Sequence, residues 1–164
     1  NLREEHGYTY GASSSFEWRR GAGPFTVSAA VATEVTLPAI GEILHELERI
    51  RSDPPEPHEL TLATSFLQGV FPLRFETTEA IASALASLVI FGLPEDYYDR
   101  YRDLVGEVTA ADVYEAARRH IRPDELQFVL VGDYDRIGSS LQDARLGSVV
   151  RFEAEQESLT LGSR

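Results

Sequence analysis

Tyr8-Thr9-Tyr10-Gly11-Ala12-Ser13-Ser14-Ser15-Phe16-Glu17-Trp18, with the residues that follow it, decides the fold class. The even positions carry Tyr8, Tyr10, Phe16 and Trp18, while Thr9, Ser13, Ser15, Glu17 and Arg19 fall between them. That period of two predicts a strand with one buried face. Gly21-Ala22-Gly23-Pro24 reads as a turn, after which Phe25, Val27, Ala29 and Val31 resume the alternation. Two antiparallel strands of about ten residues each are expected. The run Ser13 to Ser15 reads as small strand residues and not as a nucleophile, because no G-x-S-x-G elbow surrounds it.

Past Thr36 the period becomes helical. Leu37, Ile40, Ile43, Leu44, Leu47 and Ile50 share a stripe, with Glu42, Glu46, Glu48 and Arg49 mostly off it. Ser52-Asp53-Pro54-Pro55 ends this helix, since a residue before proline is pushed out of the α region. A second helix from Glu56 presents Leu60, Thr64, Leu67 and Phe71 and stops near Pro72. A third, N-capped by Thr77 or Thr78, carries Ile81, Ala84, Leu85, Leu88 and Phe91; Val89 and Ile90 broaden its apolar face, so it is expected to be the most buried helix. Gly92-Leu93-Pro94 closes it. Glu95 to Val105 predicts a short helix rich in Tyr97, Tyr98 and Tyr101, read as core and rim packing in preference to a cofactor or substrate surface. Thr109-Ala110-Ala111-Asp112 approximates a capping box before a helix through Val113, Ala116, Ala117 and Ile121.

The continuous apolar run Leu126-Gln127-Phe128-Val129-Leu130-Val131-Gly132-Asp133 predicts a buried strand. Beyond it, Arg136 to Asp143 reads as a short helix, Val149 to Phe152 as a short strand and Glu153 to Arg164 as a polar tail. Runs of like elements, in place of strict alternation, predict an α+β fold: an antiparallel-rich sheet covered on one face by several helices. The division expected is one α+β domain over residues 1–133 and an extension, 134–164, packing on it or trailing from it.

The chain's 164 residues suffice for one core. No run of about 18 apolar residues and no basic-then-apolar start occurs, so neither a membrane span nor a signal peptide is read. Asn1 stands where an initiator Met would, and the chain reads as a fragment of a longer polypeptide. The absence of Cys removes disulfides and thiolate chemistry and leaves the redox compartment open. All 15 basic residues are Arg, against 27 acidic ones, for a net charge of −12. Such a surface gains nothing from releasing counterions, which argues against nucleic acid and anionic lipid as partners. Two origins fit the acidity: adaptation to high salt, or an Arg-favouring genome with carboxylates spread over solvated faces.

Catalytic patterns are missing. His6, His45, His58 and His120 include no pair four apart, so neither H-x-x-E-H nor H-E-x-x-H is present to bind zinc. The carboxylates Glu42, Glu46 and Glu48, and Asp96, Asp99 and Asp103, fall on polar helix faces. Gly21-Ala22-Gly23 is a hairpin turn, not a phosphate loop, because no helix start follows and no lysine exists. Read from the residues alone, Arg3 is a solvated helix-end cation and Tyr10 a packing aromatic, although a guanidinium and a phenol are both able hydrogen-bond donors.

Several segments resemble, in order, the second half of pitrilysin/insulinase-type (mitochondrial processing peptidase-like) zinc metallopeptidases. They are Leu2-Arg3-Glu4 with Gly7-Tyr8-Thr9-Tyr10, Gly23-Pro24-Phe25, Glu46-Leu47-Glu48-Arg49-Ile50-Arg51, and Gly69-Val70-Phe71-Pro72-Leu73-Arg74-Phe75-Glu76-Thr77. Gly92-Leu93-Pro94-Glu95-Asp96-Tyr97-Tyr98, Val108-Thr109-Ala110-Ala111-Asp112-Val113 and Val129-Leu130-Val131-Gly132-Asp133 complete the set, which runs over residues 2–133, most of the chain. The resemblance implies a C-terminal, non-catalytic domain of the LuxS/processing-peptidase-like fold, with its N-terminal strand and helix partly missing. It implies that Arg3 and Tyr10 reach peptide, that this chain holds no cofactor, and that zinc sits in a catalytic half carrying H-x-x-E-H. Partners expected on this reading are that catalytic half, in the same polypeptide or a separate subunit, and a peptide substrate. A second copy pairing through an open sheet edge is also open, with no nucleic acid and no membrane contact. The other class left open is a pseudo-peptidase assembly module that binds protein only.

Overall fold

A computed structural model of the chain describes residues 2–152. Its elements are β1 (Thr9–Phe16), β2 (Phe25–Val31), α1 (Thr36–Ser52), α2 (Pro57–Val70), α3 (Thr78–Phe91), α4 (Tyr97–Glu107), α5 (Ala110–His120) and α6 (Tyr134–Asp143). Short 3-10 turns sit at Thr33–Val35, Pro72–Phe75 and Pro123–Glu125. The architecture is α+β, a two-stranded antiparallel sheet followed by helices.

The helix boundaries follow local chemistry. Glu56 caps α2 with Pro57 in its first turn, and the Glu59 carboxylate accepts the Glu56 N–H at 2.9 Å. The Thr77 hydroxyl accepts the Ala80 N–H at 3.1 Å and so opens α3. Thr109 and Asp112 cap α5 reciprocally. Gly92 ends α3 in the left-handed region, where the Leu93 N–H reaches back to the Leu88 carbonyl at 2.9 Å.

The hairpin has one irregularity that sets which side chains face where. Its register pairs Phe16 with Phe25, Ser14 with Val27, Ala12 with Ala29 and Thr9 with Val31. From Ala12 back to Thr9 the first strand uses one more residue than its partner does from Ala29 to Val31, which makes a β-bulge. A one-residue step in a strand moves every side chain beyond it to the other face. Phe16, Ser14 and Ala12 therefore share the face of Phe25 and Val27, whereas on the far side of the bulge it is Thr9 that does. Thr9 is buried and Tyr10 is turned out, 98% exposed. The uniform even-numbered buried face expected for this strand is thus corrected: the bulge splits it.

Phe25 and Val27 pack on a core of Leu47 from α1 with Ala117 and Ile121 from the end of α5, and Ile43, Ile50 and Leu126 close round it. Burying a side chain of this kind contributes about 1.5–3 kcal/mol, so this small cluster is the main apolar tie between sheet and helices. Arg49 couples α1 to α2, reaching Glu46 at 3.0 Å and Glu59 at 3.3 Å. The aromatic segment forms a second cluster. Phe71 stacks on Tyr101 at 4.5 Å between centroids, Phe75 meets Tyr98 edge-on at 5.3 Å, and the Tyr98 hydroxyl donates to the Ala84 carbonyl of α3 at 3.2 Å.

Three further expectations are corrected. The helix α3 is not the most buried: none of its residues is buried, and Ile81, Leu85, Val89 and Ile90 are 44%, 57%, 83% and 52% exposed. Its apolar composition runs round most of its circumference, and the 3-10 turn at Pro72–Phe75 and Tyr98 cover only one side. Leu126 to Asp133 is not a strand, because among the described residues β1 and β2 pair only with each other; Val129 and Val131 stand exposed. Val149 to Phe152 likewise joins no sheet. The polar tail, Glu153 to Arg164, lies outside the described residues. The helix α6 packs beside the Thr33–Val35 turn, where Arg136 pairs with Glu34. Among the described residues no helix is long and apolar enough to cross a membrane.

Candidate functional site

Arg3 lies in a turn over residues 2–6 that ends as a helix ends. The Tyr8 N–H bonds the Leu2 carbonyl at 2.8 Å and the Gly7 N–H bonds the Arg3 carbonyl at 3.2 Å, while Gly7 takes φ 63°. The Gly7 bond is the one that defines the simpler αL motif, and the left-handed position is the one that glycine occupies without a Cβ penalty. Leu2 is buried beneath the turn. The His6 ring stacks on Tyr8 at 5.0 Å and its Nε2 approaches the Glu42 carboxylate of α1 at 3.5 Å. The turn is therefore anchored on both sides, and the Arg3 side chain is left in solvent, 67% exposed, beside Glu4 at 3.4 Å.

Tyr10 owes its position to Thr9. The Thr9 hydroxyl donates to the Ala30 carbonyl at 2.7 Å across the hairpin and accepts the Gly11 N–H at 3.1 Å within the bulge. These two bonds satisfy groups that the irregular ladder would leave unpaired. Among the described residues neither a hydrogen bond nor a ring contact engages the Tyr10 phenol, which projects from the sheet face opposite the helices. Arg3 and Tyr10 make no contact with each other. Sequence reasoning had named both but missed Thr9 as the residue that sets the phenol. The available signal was Gly11, since a glycine inside a strand pattern marks a bulge.

The other sequence candidates resolve into structural pairings. Glu46 and Glu48 hold Arg49 and Arg51 one turn on, at 3.0 and 2.9 Å, and Asp96 faces Arg100 at 3.7 Å. His58 sits 3.2 Å from the Glu56 carboxylate, His45 is exposed on α1, and His120 joins Arg118 and Arg119 in the last turn of α5, where the helix dipole favours cations. Burial, first, and the neighbouring tyrosines hold the Tyr97 phenol above its ordinary range. Among the described residues no group of three or more His, Asp or Glu side chains is placed to hold a metal ion.

Residues 1–67 match the family model of the peptidase M16 inactive domain. Among solved structures, the chain is similar to the crystal structure of a peptidase M16 inactive domain from Pseudomonas fluorescens, with a TM-score of 0.69 and 23% identity over 76% of this chain. The chain spans 29% of that protein's length, and at this identity the likeness speaks for the fold. No curated protein matches the chain. Residues 1–67 are thus similar in sequence to the M16 inactive domain, and the chain shares the fold of the solved domain of that kind.

Proposed function

We propose that this chain is the non-catalytic wall of a zinc-dependent metallopeptidase. In this reading it closes over peptide held by a catalytic half that carries H-x-x-E-H, and Arg3 and Tyr10 donate to the peptide backbone. The observation that carries the reading is the bulge at Thr9, which turns an unengaged phenol, 98% exposed, away from the core of its own domain. An aromatic side chain that packs nothing in its own domain leaves its fixed donor free for something outside it. Arg3 adds a cation whose backbone is fixed by the turn and whose head is free to leave Glu4, because an exposed ion pair of this kind is worth at most about 1 kcal/mol. Zinc and its bound water belong to the catalytic half, in the same polypeptide or in a separate subunit.

The test is the double change Arg3→Ala, Tyr10→Phe in the full enzyme. Loss of two donors is expected to lower kcat/KM for peptide cleavage by about tenfold or more, equivalent to roughly 1.4 kcal/mol, with zinc content and circular dichroism unchanged. Unaltered kinetics would remove both residues from the peptide contact. The second reading, an assembly module without substrate contact, draws on the uncovered apolar side of α3. In that case the double change leaves turnover intact, and removal of the domain dissolves the complex.

A further inference from the structure

We propose that the cleft between the β1–β2 turn and the C-terminal end of α3 docks a protein segment that is both apolar and acidic. Its apolar side chains would lie along α3 and its carboxylates would meet Arg19 and Arg20. The inference uses other residues than the peptide contact proposed at Arg3 and Tyr10, and it sits at the opposite end of the hairpin. It stands or falls separately.

The cleft, of about 360 Å³, is lined by Arg19, Arg20, Val89, Ile90, Phe91 and Gly92. Trp18 stands next to the cleft, its ring 6.2 Å from that of the lining residue Phe91, and is itself 73% exposed. Ile81, Leu85 and Val89 lie four residues apart on α3 and so line up on one face leading into the cleft, increasingly exposed toward it at 44%, 57% and 83%. Single exposed apolar residues are ordinary, but a contiguous stripe that ends at a tryptophan and two arginines has the composition of an interface centre.

Charge selects the occupant. Arg19 is held by Glu17 at 2.7 Å, whereas the Arg20 guanidinium has no ion pair or hydrogen bond among the described residues. The mouth of the cleft therefore keeps an uncompensated cation on a chain whose net charge is −12. A basic or neutral segment would leave Arg20 unpaired, and a whole second copy would bring its own charge of −12 against this one. A segment with a few carboxylates places negative charge only where the arginines are.

Trp18 is the chain's single tryptophan, and beside Phe91 its emission reports on the edge of this cleft. The 164-residue chain is titrated with a short acetylated and amidated peptide of alternating leucine and glutamate, and with a leucine–lysine peptide of the same length. The acidic peptide is expected to shift Trp18 emission to the blue and to saturate, weakening with salt, while the basic peptide does neither. Arg20→Glu should weaken the acidic peptide by about tenfold with unchanged circular dichroism, and Val89→Glu should weaken it independently through the apolar stripe. Equal binding of the two peptides, no response to either, or an Arg20→Glu chain that binds as well as the parent would overturn the proposal. A blue shift that tracks chain concentration alone, with a doubled sedimentation mass, would overturn it in favour of a second copy.

Discussion

Replacing Thr9 by valine asks whether one hydroxyl aims the phenol of Tyr10. Valine keeps the β-branch and the volume but removes the oxygen that donates to the Ala30 carbonyl at 2.7 Å and accepts the Gly11 N–H at 3.1 Å. Each such bond contributes about 0.5–1.5 kcal/mol net. At a site only 7% exposed, little water is at hand to replace either one. The loss expected is therefore about 1–3 kcal/mol, set by two partners left unpaired and not by any cavity. With a urea dependence of about 2 kcal/mol per molar, the unfolding midpoint, followed by far-ultraviolet circular dichroism, should fall by about 0.5–1.5 M. Thr9→Ser, which keeps the oxygen, should fall by less than half as much. In the full enzyme, Thr9→Val should also lower peptide cleavage, because a strand without its bulge turns Tyr10 toward the helices. A Thr9→Val midpoint within about 0.2 M of the parent would refute the claim that this hydroxyl holds the bulge.

Two further outcomes test the local devices. At Asp112, the Thr109 hydroxyl, 2.6 Å away, and then the Thr109 N–H, at 2.9 Å, hold the carboxyl below the usual carboxylate range. Because the folded pKa lies under the unfolded one, the stabilisation is complete above the unfolded value and is lost as pH falls through the folded value. Thermal melts of the parent and Asp112→Asn should differ at about pH 7 and converge toward about pH 3, and a gap independent of pH would contradict the assignment. Gly7→Ala places a Cβ in open space, with nothing within 4 Å, at φ 63°, so any cost is backbone strain alone. A loss of about 1–2 kcal/mol is expected by thermal unfolding, and none at all would mean that the turn carrying Arg3 relaxes freely.

What the sequence made legible was whatever its neighbours along the chain decide. The starts of α2, α3 and α5 stand where Glu56, Thr77 and Thr109 put them, and α3 stops at Gly92, because a cap is chosen by residues three or four positions away. The two hairpin strands were legible for the same reason. The failures share the opposite cause. Leu126 to Val131 has the composition of a strand, but a strand exists only when another backbone lies alongside it, and β1 and β2 offer pairing only to each other. The apolar width of α3 likewise says how much surface would gain from cover without saying what supplies it.

These failures bear on function because they fall on adjacent questions of who covers what. A domain that met all its apolar surface with its own elements would have matched the expected burial of α3 and of the run at Leu126. Here the core closes on Leu47, Ala117 and Ile121, while the α3 stripe, Val129 and Val131 stay in solvent. Exposed β-branched side chains on an extended segment offer a pairing edge, and an uncovered apolar helix face gains from burial, so both suit another polypeptide surface. A wall that works only when closed against a second half has that property by construction, as does a module that holds a complex together. The two readings part at Tyr10. A packing module gains nothing from turning a phenol away from its own core, whereas the peptide-facing wall proposed above would use that donor, so Tyr10→Phe alone separates them: lowered turnover favours the wall, and unchanged turnover with an intact complex favours the module.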